Sequence, residues 1–171
     1  MVSHLGSRHL QRRPCALVIK WRALLTKGMI MAVRLNHTIV SARDHSASAR
    51  FLSEILGLSE PVHLGPFAIV QIADTSLDFM ESGGKINTQH YAFLVTELEF
   101  DEIFARIRER GLTYWADPSQ KQSGQINEWD GGRGVYWEDP NGHLLEIITR
   151  PYGTGGSQAP KPHPLLKAPK E

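Results

Sequence analysis

The sequence predicts an α+β fold in which one pattern, a strand, a helix and then several strands, is written twice. Three observations carry this. His37 stands 20 residues before Gly57 and His90 stands 21 before Gly111, so the two halves keep register within one residue. Each glycine closes a stretch with the apolar spacing of a helix that buries one face: Phe51, Leu52, Ile55 and Leu56 in the first half, Ile103, Phe104 and Ile107 in the second. Each half also ends on a strand-like run with a single acid among apolar neighbours, Leu77-Asp78-Phe79-Met80 and Leu145-Glu146-Ile147-Ile148.

In order, residues 35–41 read as a strand, 46–56 as a helix stopped by Gly57, and 67–72 and 76–80 as further strands. The second half repeats this with a strand at 91–96, a helix at 100–110 stopped by Gly111, and strands at 135–137 and 144–149. Asp78 follows Gly57 by 21 residues but Glu146 follows Gly111 by 35, which leaves an insertion of 14 in the second half. It falls in the polar stretch 116–132, a loop of the length that usually binds a ligand or covers one. Asp139-Pro140-Asn141-Gly142 is a tight turn between the last two strands. Two half-sheets curled around a shared space would set inward residues of their first and last strands opposite one another.

With 171 residues and 41% apolar content, the chain can build one domain, or two small modules sharing a core. Its apolar runs are strand-length and fall short of the ~18 residues of a membrane span. Cys15 is the only cysteine. That excludes an intrachain disulfide and a cysteine zinc site, and points to a reducing, cytoplasmic setting. The net charge of +1 conceals an asymmetry: residues 1–30 carry Arg8, Arg12, Arg13, Lys20, Arg22 and Lys27 with no acid, whereas 31–150 is acidic. An acidic folded part argues against a nucleic-acid face. The leader resembles a mitochondrial transit peptide, but Met29 and Met31 just ahead of the first strand favour a dispensable extension over 1–30. Residues 153–171, rich in glycine, proline and lysine, read as a disordered tail. The folded domain is expected over 31–152, with modules at about 33–82 and 88–151.

A carboxylate on a strand among leucine and isoleucine is costly unless paired or coordinated, which singles out Glu146. His37 and His90 occupy matching places ahead of matching helices. Two imidazoles and one carboxylate leave coordination positions open for substrate, and suit Fe(II) or Mn(II), with Zn(II) or Ni(II) as alternatives. Asp78, the counterpart of Glu146, is the repeat-related candidate for a further ligand. Tyr136, on the strand beside Glu146, is a candidate catalytic proton donor, and Glu146 itself a candidate proton shuttle. Trp129 in the long loop and Arg133 just after it are candidate substrate contacts. The other histidines read as a helix start (His45), a loop (His63), a turn neighbour (His143) and a tail residue (His163).

With Asn36-His37-Thr38, Gln89-His90-Tyr91-Ala92-Phe93 and the run from Tyr136 through Asp139-Pro140 and Gly142-His143 to Glu146, the chain resembles the vicinal oxygen chelate superfamily over roughly residues 33–151. That group holds glyoxalase I, fosfomycin-resistance proteins, bleomycin-resistance proteins and extradiol dioxygenases. The resemblance implies two βαβββ modules forming a cupped mixed sheet around a divalent metal, with His37, His90 and Glu146 as ligands. Glyoxalase I adds an acid in the first module, where this chain has Asp78. The segment from Tyr136 to Glu146 matches the second part of the extradiol signature, but the histidine of its first part is replaced by Asn127, Glu128 and Trp129. Fosfomycin enzymes share the Asp-Pro-x-Gly-His-x-x-Glu run, with Arg133 as the nearby cation here. Bleomycin-type binders lack the triad. The expectation is a metal-dependent enzyme acting on a small molecule, an extradiol-type dioxygenase on a catechol-like substrate ahead of a glyoxalase-like lyase or isomerase. A non-catalytic binder is the third reading. Exposed sheet edges in this architecture suggest a homodimer.

Overall fold

The chain divides into two units, Met1–Arg34 and Leu35–Glu171. The computed structural model describes residues 33–155 and 161–164, so the fold is that of the second unit. The basic extension over 1–30, with Cys15, lies outside the described residues. The first module comprises β1 (His37–Ala42), α1 (His45–Leu56), β2 (Val62–Leu64), β3 (Phe67–Ile72) and β4 (Thr75–Glu81). The second comprises β5 (His90–Leu94), α2 (Glu97–Glu109), β6 (Tyr114–Trp115), β7 (Gly134–Glu138) and β8 (Leu144–Ile148). Each module is a βαβββ unit, as expected, and each forms its own four-stranded mixed sheet, ordered β1-β4-β3-β2 and β5-β8-β7-β6. In both, the first strand runs parallel to the last and the remaining pairs are antiparallel.

Local chemistry sets the helix ends. The Asp44 carboxylate accepts the Ala47 N–H at 2.8 Å to start α1, and Gly57, at φ 71°, lets the Leu58 N–H return to the Ser53 carbonyl. Thr96 and Glu99 form a reciprocal capping box at α2. That box starts α2 at Glu97, ahead of the apolar stripe that marks it in the sequence. The two strands that the sequence pattern omits are β2, exposed throughout and bounded by Pro61 and Gly65, and the two-residue β6. Neither is long enough or buried enough to leave an alternation.

Strand parity sorts the side chains. Val40, Ala42, Ala68, Val70, Leu77 and Phe79 turn toward α1, while Val135, Trp137, Leu145 and Ile147 turn toward α2, and all belong to one core with Leu52, Ile55, Phe100, Ile103 and Ile107. The alternate residues, His37 and Ile39 on β1, His90 and Leu94 on β5, Tyr136 on β7 and Glu146 on β8, lie on the opposite sheet faces.

The turn between β7 and β8 ties the modules together. His143, 1% exposed, accepts the Gln89 N–H on Nδ1 at 2.9 Å, which leaves Nε2–H to donate to the Ser41 carbonyl, also at 2.9 Å. Asn141 donates to Ser48 Oγ and accepts the Arg43 N–H, each at 2.9 Å. The Asp139 carboxylate fixes the turn from inside by accepting the Asn141 and His143 N–H groups. His143→Ala orphans a donor and an acceptor at this junction, so it should cost about 2–4 kcal/mol in urea denaturation. A loss below the error of the measurement would show that the modules hold together without it.

The 116–132 insertion is anchored rather than open. Asp117 accepts the N–H groups of Ser119, Lys121 and Gln122, and Asn127 donates to the Ala116 carbonyl. Residues 161–164, which composition assigns to a disordered tail, pack back on this loop: the Asp130 N–H donates to the Lys161 carbonyl at 2.7 Å, and His163 is 8% exposed. The reason is a buried acid and two rings that give this stretch something to bind. The rest of the tail, 156–160 and 165–171, lies outside the described residues. No helix among the described residues is long and apolar enough to cross a membrane.

Candidate metal centre

Glu146 is 1% exposed on β8, and its Oε2 lies 3.1 Å from His90 Nε2. The parallel pairing of β5 with β8 makes this contact, since Ala92 is the register partner of Glu146 and His90 stands two residues earlier on the same face. His90 Nδ1 lies 3.1 Å from the Leu144 carbonyl, an acceptor, so Nδ1 carries a proton. Nε2 then faces a carboxylate. Without a metal, one proton between Nε2 and Oε2 reconciles these neighbours, and the hydrogen bond to Glu146 raises the His90 pKa above the ordinary imidazole value, against its desolvation. A divalent cation between Nε2 and Oε2 would take the place of that proton. These two donors, an imidazole nitrogen and a carboxylate oxygen, are of the kind that the predicted metals take.

Behind the carboxylate stand two phenols. Tyr136, the register partner of Glu146 on β7, stacks on the His90 ring with centroids 6.0 Å apart. Tyr152, beyond β8, donates its hydroxyl proton to Glu146 Oε1, and with that proton spent its oxygen accepts from Tyr136 Oη at 3.0 Å. Burial first, and then Glu146, pushes both phenols well above their usual range, so both stay protonated. Tyr152 escapes the sequence reading because it lies past the last strand, where no alternation places it; its spacing from Glu146 across Pro151 is the one available signal.

The structure does not bring every predicted residue here. His37 is exposed on β1 with Nδ1 on Asn36 Oδ1 at 2.9 Å, and among the described residues no three His, Cys, Asp or Glu side chains gather closely enough to hold a metal ion. The reason is that the two modules pack through their helix-facing sides. Asp78 shares the face of His37 and accepts from Ser76 Oγ at 2.7 Å. Arg133 is placed elsewhere than the substrate contact expected of it: its guanidinium pairs with Glu97 and Asp101 at 2.7 Å each and lies 4.3 Å over the Phe100 ring. Its parity is that of Val135 and Trp137, so it clamps α2. Trp129 lies at the margin of the centre, with its ring 5.9 Å from Tyr152 and 4.7 Å from His163. Glu128 pairs with Lys161 at the surface. His45 opens α1 as expected, whereas His63 falls in β2 and His143 at the module junction.

Paired βαβββ modules with matching strand orders define a class of protein, and a family model agrees. Residues 34–147 match the Glyoxalase/Bleomycin resistance protein/Dioxygenase superfamily, and the chain belongs to it. Among solved structures, Oxidase ChaP-H1 is 65% identical, with 71% of this chain and 99% of that chain covered at a TM-score of 0.70. Oxidase ChaP-H2 is 63% identical, with 74% and 100% covered at 0.72. Glutathione transferase FosA of Serratia marcescens is 28% identical over 124 residues, 68% of this chain and 81% of that protein.

Proposed function

We propose that this chain is a divalent-metal-dependent dioxygenase of extradiol type, acting on a catechol-like small molecule, with Fe(II) or Mn(II) held by His90, Glu146 and the His37 of a second copy. The buried Glu146 carboxylate beside His90 Nε2 carries this reading. Two relatives above 60% identity bear the name oxidase, which favours oxidation over the lyase chemistry of other branches. When bound, the metal would supply Lewis-acid charge to a substrate that chelates through two neighbouring oxygens, and a route for electrons from that substrate to molecular oxygen, the oxidant. The Leu144 carbonyl orients His90, Tyr136 stacks on the His90 ring with its hydroxyl protonated and turned to Tyr152, and Glu146 offers one oxygen to the metal side.

The second copy enters because, among the described residues, one chain brings together only His90 and Glu146 of the proposed ligands. β1 and β5 are edge strands of their sheets, and each carries an exposed apolar residue on the face of its histidine, Ile39 at 49% and Leu94 at 62%. Unpaired edges with apolar neighbours pair readily with another chain. A lyase or isomerase with Asp78 as a fourth ligand is the second reading, favoured by the position of Asp78 on the face of His37. Elemental analysis of anaerobically purified protein, followed by oxygen uptake with catechols, tests the proposal. We expect about one iron or manganese per chain, lost in His90→Ala. Nickel or zinc with oxygen-independent turnover would establish the lyase, and no metal at all would leave a binding protein.

A further inference from the structure

Glu146 has two oxygens, and they stand in different surroundings. Oε2 faces His90, while Oε1 takes the hydroxyl proton of Tyr152. Tyr152 is not on the sheet, so something else must hold it there. The backbone after it is pinned by Asp130, itself 1% exposed and at φ 55°, whose Oδ2 accepts the Gly153 N–H at 2.7 Å. The same residue accepts the His163 N–H on Oδ1 at 3.4 Å and donates its own N–H to the Lys161 carbonyl. The His163 ring then lies 4.1 Å from the Tyr152 ring and 4.7 Å from Trp129. A non-glycine residue at positive φ is strained, and the cost is met here by three hydrogen bonds that converge on one side chain and its amide.

We propose that Tyr152 is a positioning residue of the metal centre: it captures Oε1 of Glu146 so that Oε2 alone is offered beside His90, and Asp130 and His163 hold it in that pose. The proposal rests on the metal-centre reading. Its consequence is that Glu146 would offer a bound metal one oxygen rather than two, which would leave room for substrate. It also makes a stretch near residue 163 part of the centre, through its ring contact with Tyr152. Hydrogen bonds of this kind to a ligating group are typically worth about 10–100-fold in metal affinity.

The test is a titration of metal-free, full-length protein with cobalt(II) chloride, followed by its visible absorption. Wild-type protein should bind with a spectrum that His90→Ala abolishes. Tyr152→Phe should bind about 10–100-fold more weakly with a changed spectrum, because the freed Oε1 alters the coordination. His163→Ala, which leaves the Tyr152 hydroxyl in place, should shift affinity and spectrum in the same direction by less. It carries the test if Tyr152→Phe does not fold. Wild-type affinity and spectrum in both variants would overturn the positioning role and leave the metal centre standing. Failure of wild-type protein to bind, or binding indifferent to His90→Ala, would overturn the centre and the role of Tyr152 with it.

Discussion

Chains carrying His37→Ala, co-expressed with chains carrying Glu146→Gln, should recover about a quarter of the wild-type metal content and turnover, although each variant alone is inert. In the proposed arrangement each site would take His37 from one copy and His90 with Glu146 from the other. A mixed dimer therefore holds one intact site and one that lacks both groups. Random assortment makes about half of the dimers mixed, and half of their sites are whole, which gives the quarter. If the three residues instead close into one site within a single chain, mixing restores nothing. The experiment separates the two arrangements without any structure of the dimer.

Glu146→Gln alone should uncouple metal binding from folding. The carboxamide keeps the shape of the carboxylate; its oxygen can accept from Tyr152, and its NH2 can donate to His90 Nε2 once that ring is neutral with its proton on Nδ1. Every group then has a partner and no charge is buried, so stability of the metal-free protein should stay within about 1 kcal/mol of wild type. Metal affinity should fall by ~100-fold or more, because a neutral amide is a poor ligand for a hard cation. The pH dependence changes as well. In metal-free wild-type protein the His90 pKa is raised by Glu146, so its contribution is full below the ordinary imidazole value and is lost as the pH rises through the raised one. The variant lacks that carboxylate and should lose the slope. Unfolding curves at several pH values, beside metal titration, check both statements; equal loss of stability and metal would mean that Glu146 serves folding first.

Much of this molecule is legible in its sequence because repetition and parity survive without tertiary information. Matching histidines, matching helix stops and a lone acid on each last strand locate both modules and the His90–Glu146 pair. Periodicity is silent where contacts are made by other means. Tyr152 reaches Glu146 because the chain turns back after β8, and Arg133 is taken up by acids on α2 whose approach depends on helix packing. His37 exposes a different limit. An internal repeat says which faces correspond, but not whether the face opposite belongs to the same chain or to another. The junction at Asn141 and His143 commits the helix-facing sides to each other and leaves the face of His37 to the proposed second copy.

That junction also bears on how the protein is made. The Ser41 carbonyl waits for a histidine 102 residues further along, and the first turn of α1 waits for Asn141. Synthesis runs from the N-terminus at about 5–20 residues per second, so the first module emerges seconds before the turn that closes it. During that interval its β1 edge and apolar sheet face stand open on the ribosome. A chain stalled before residue 143 would thus present a half-protein whose readiest partner is another half-protein.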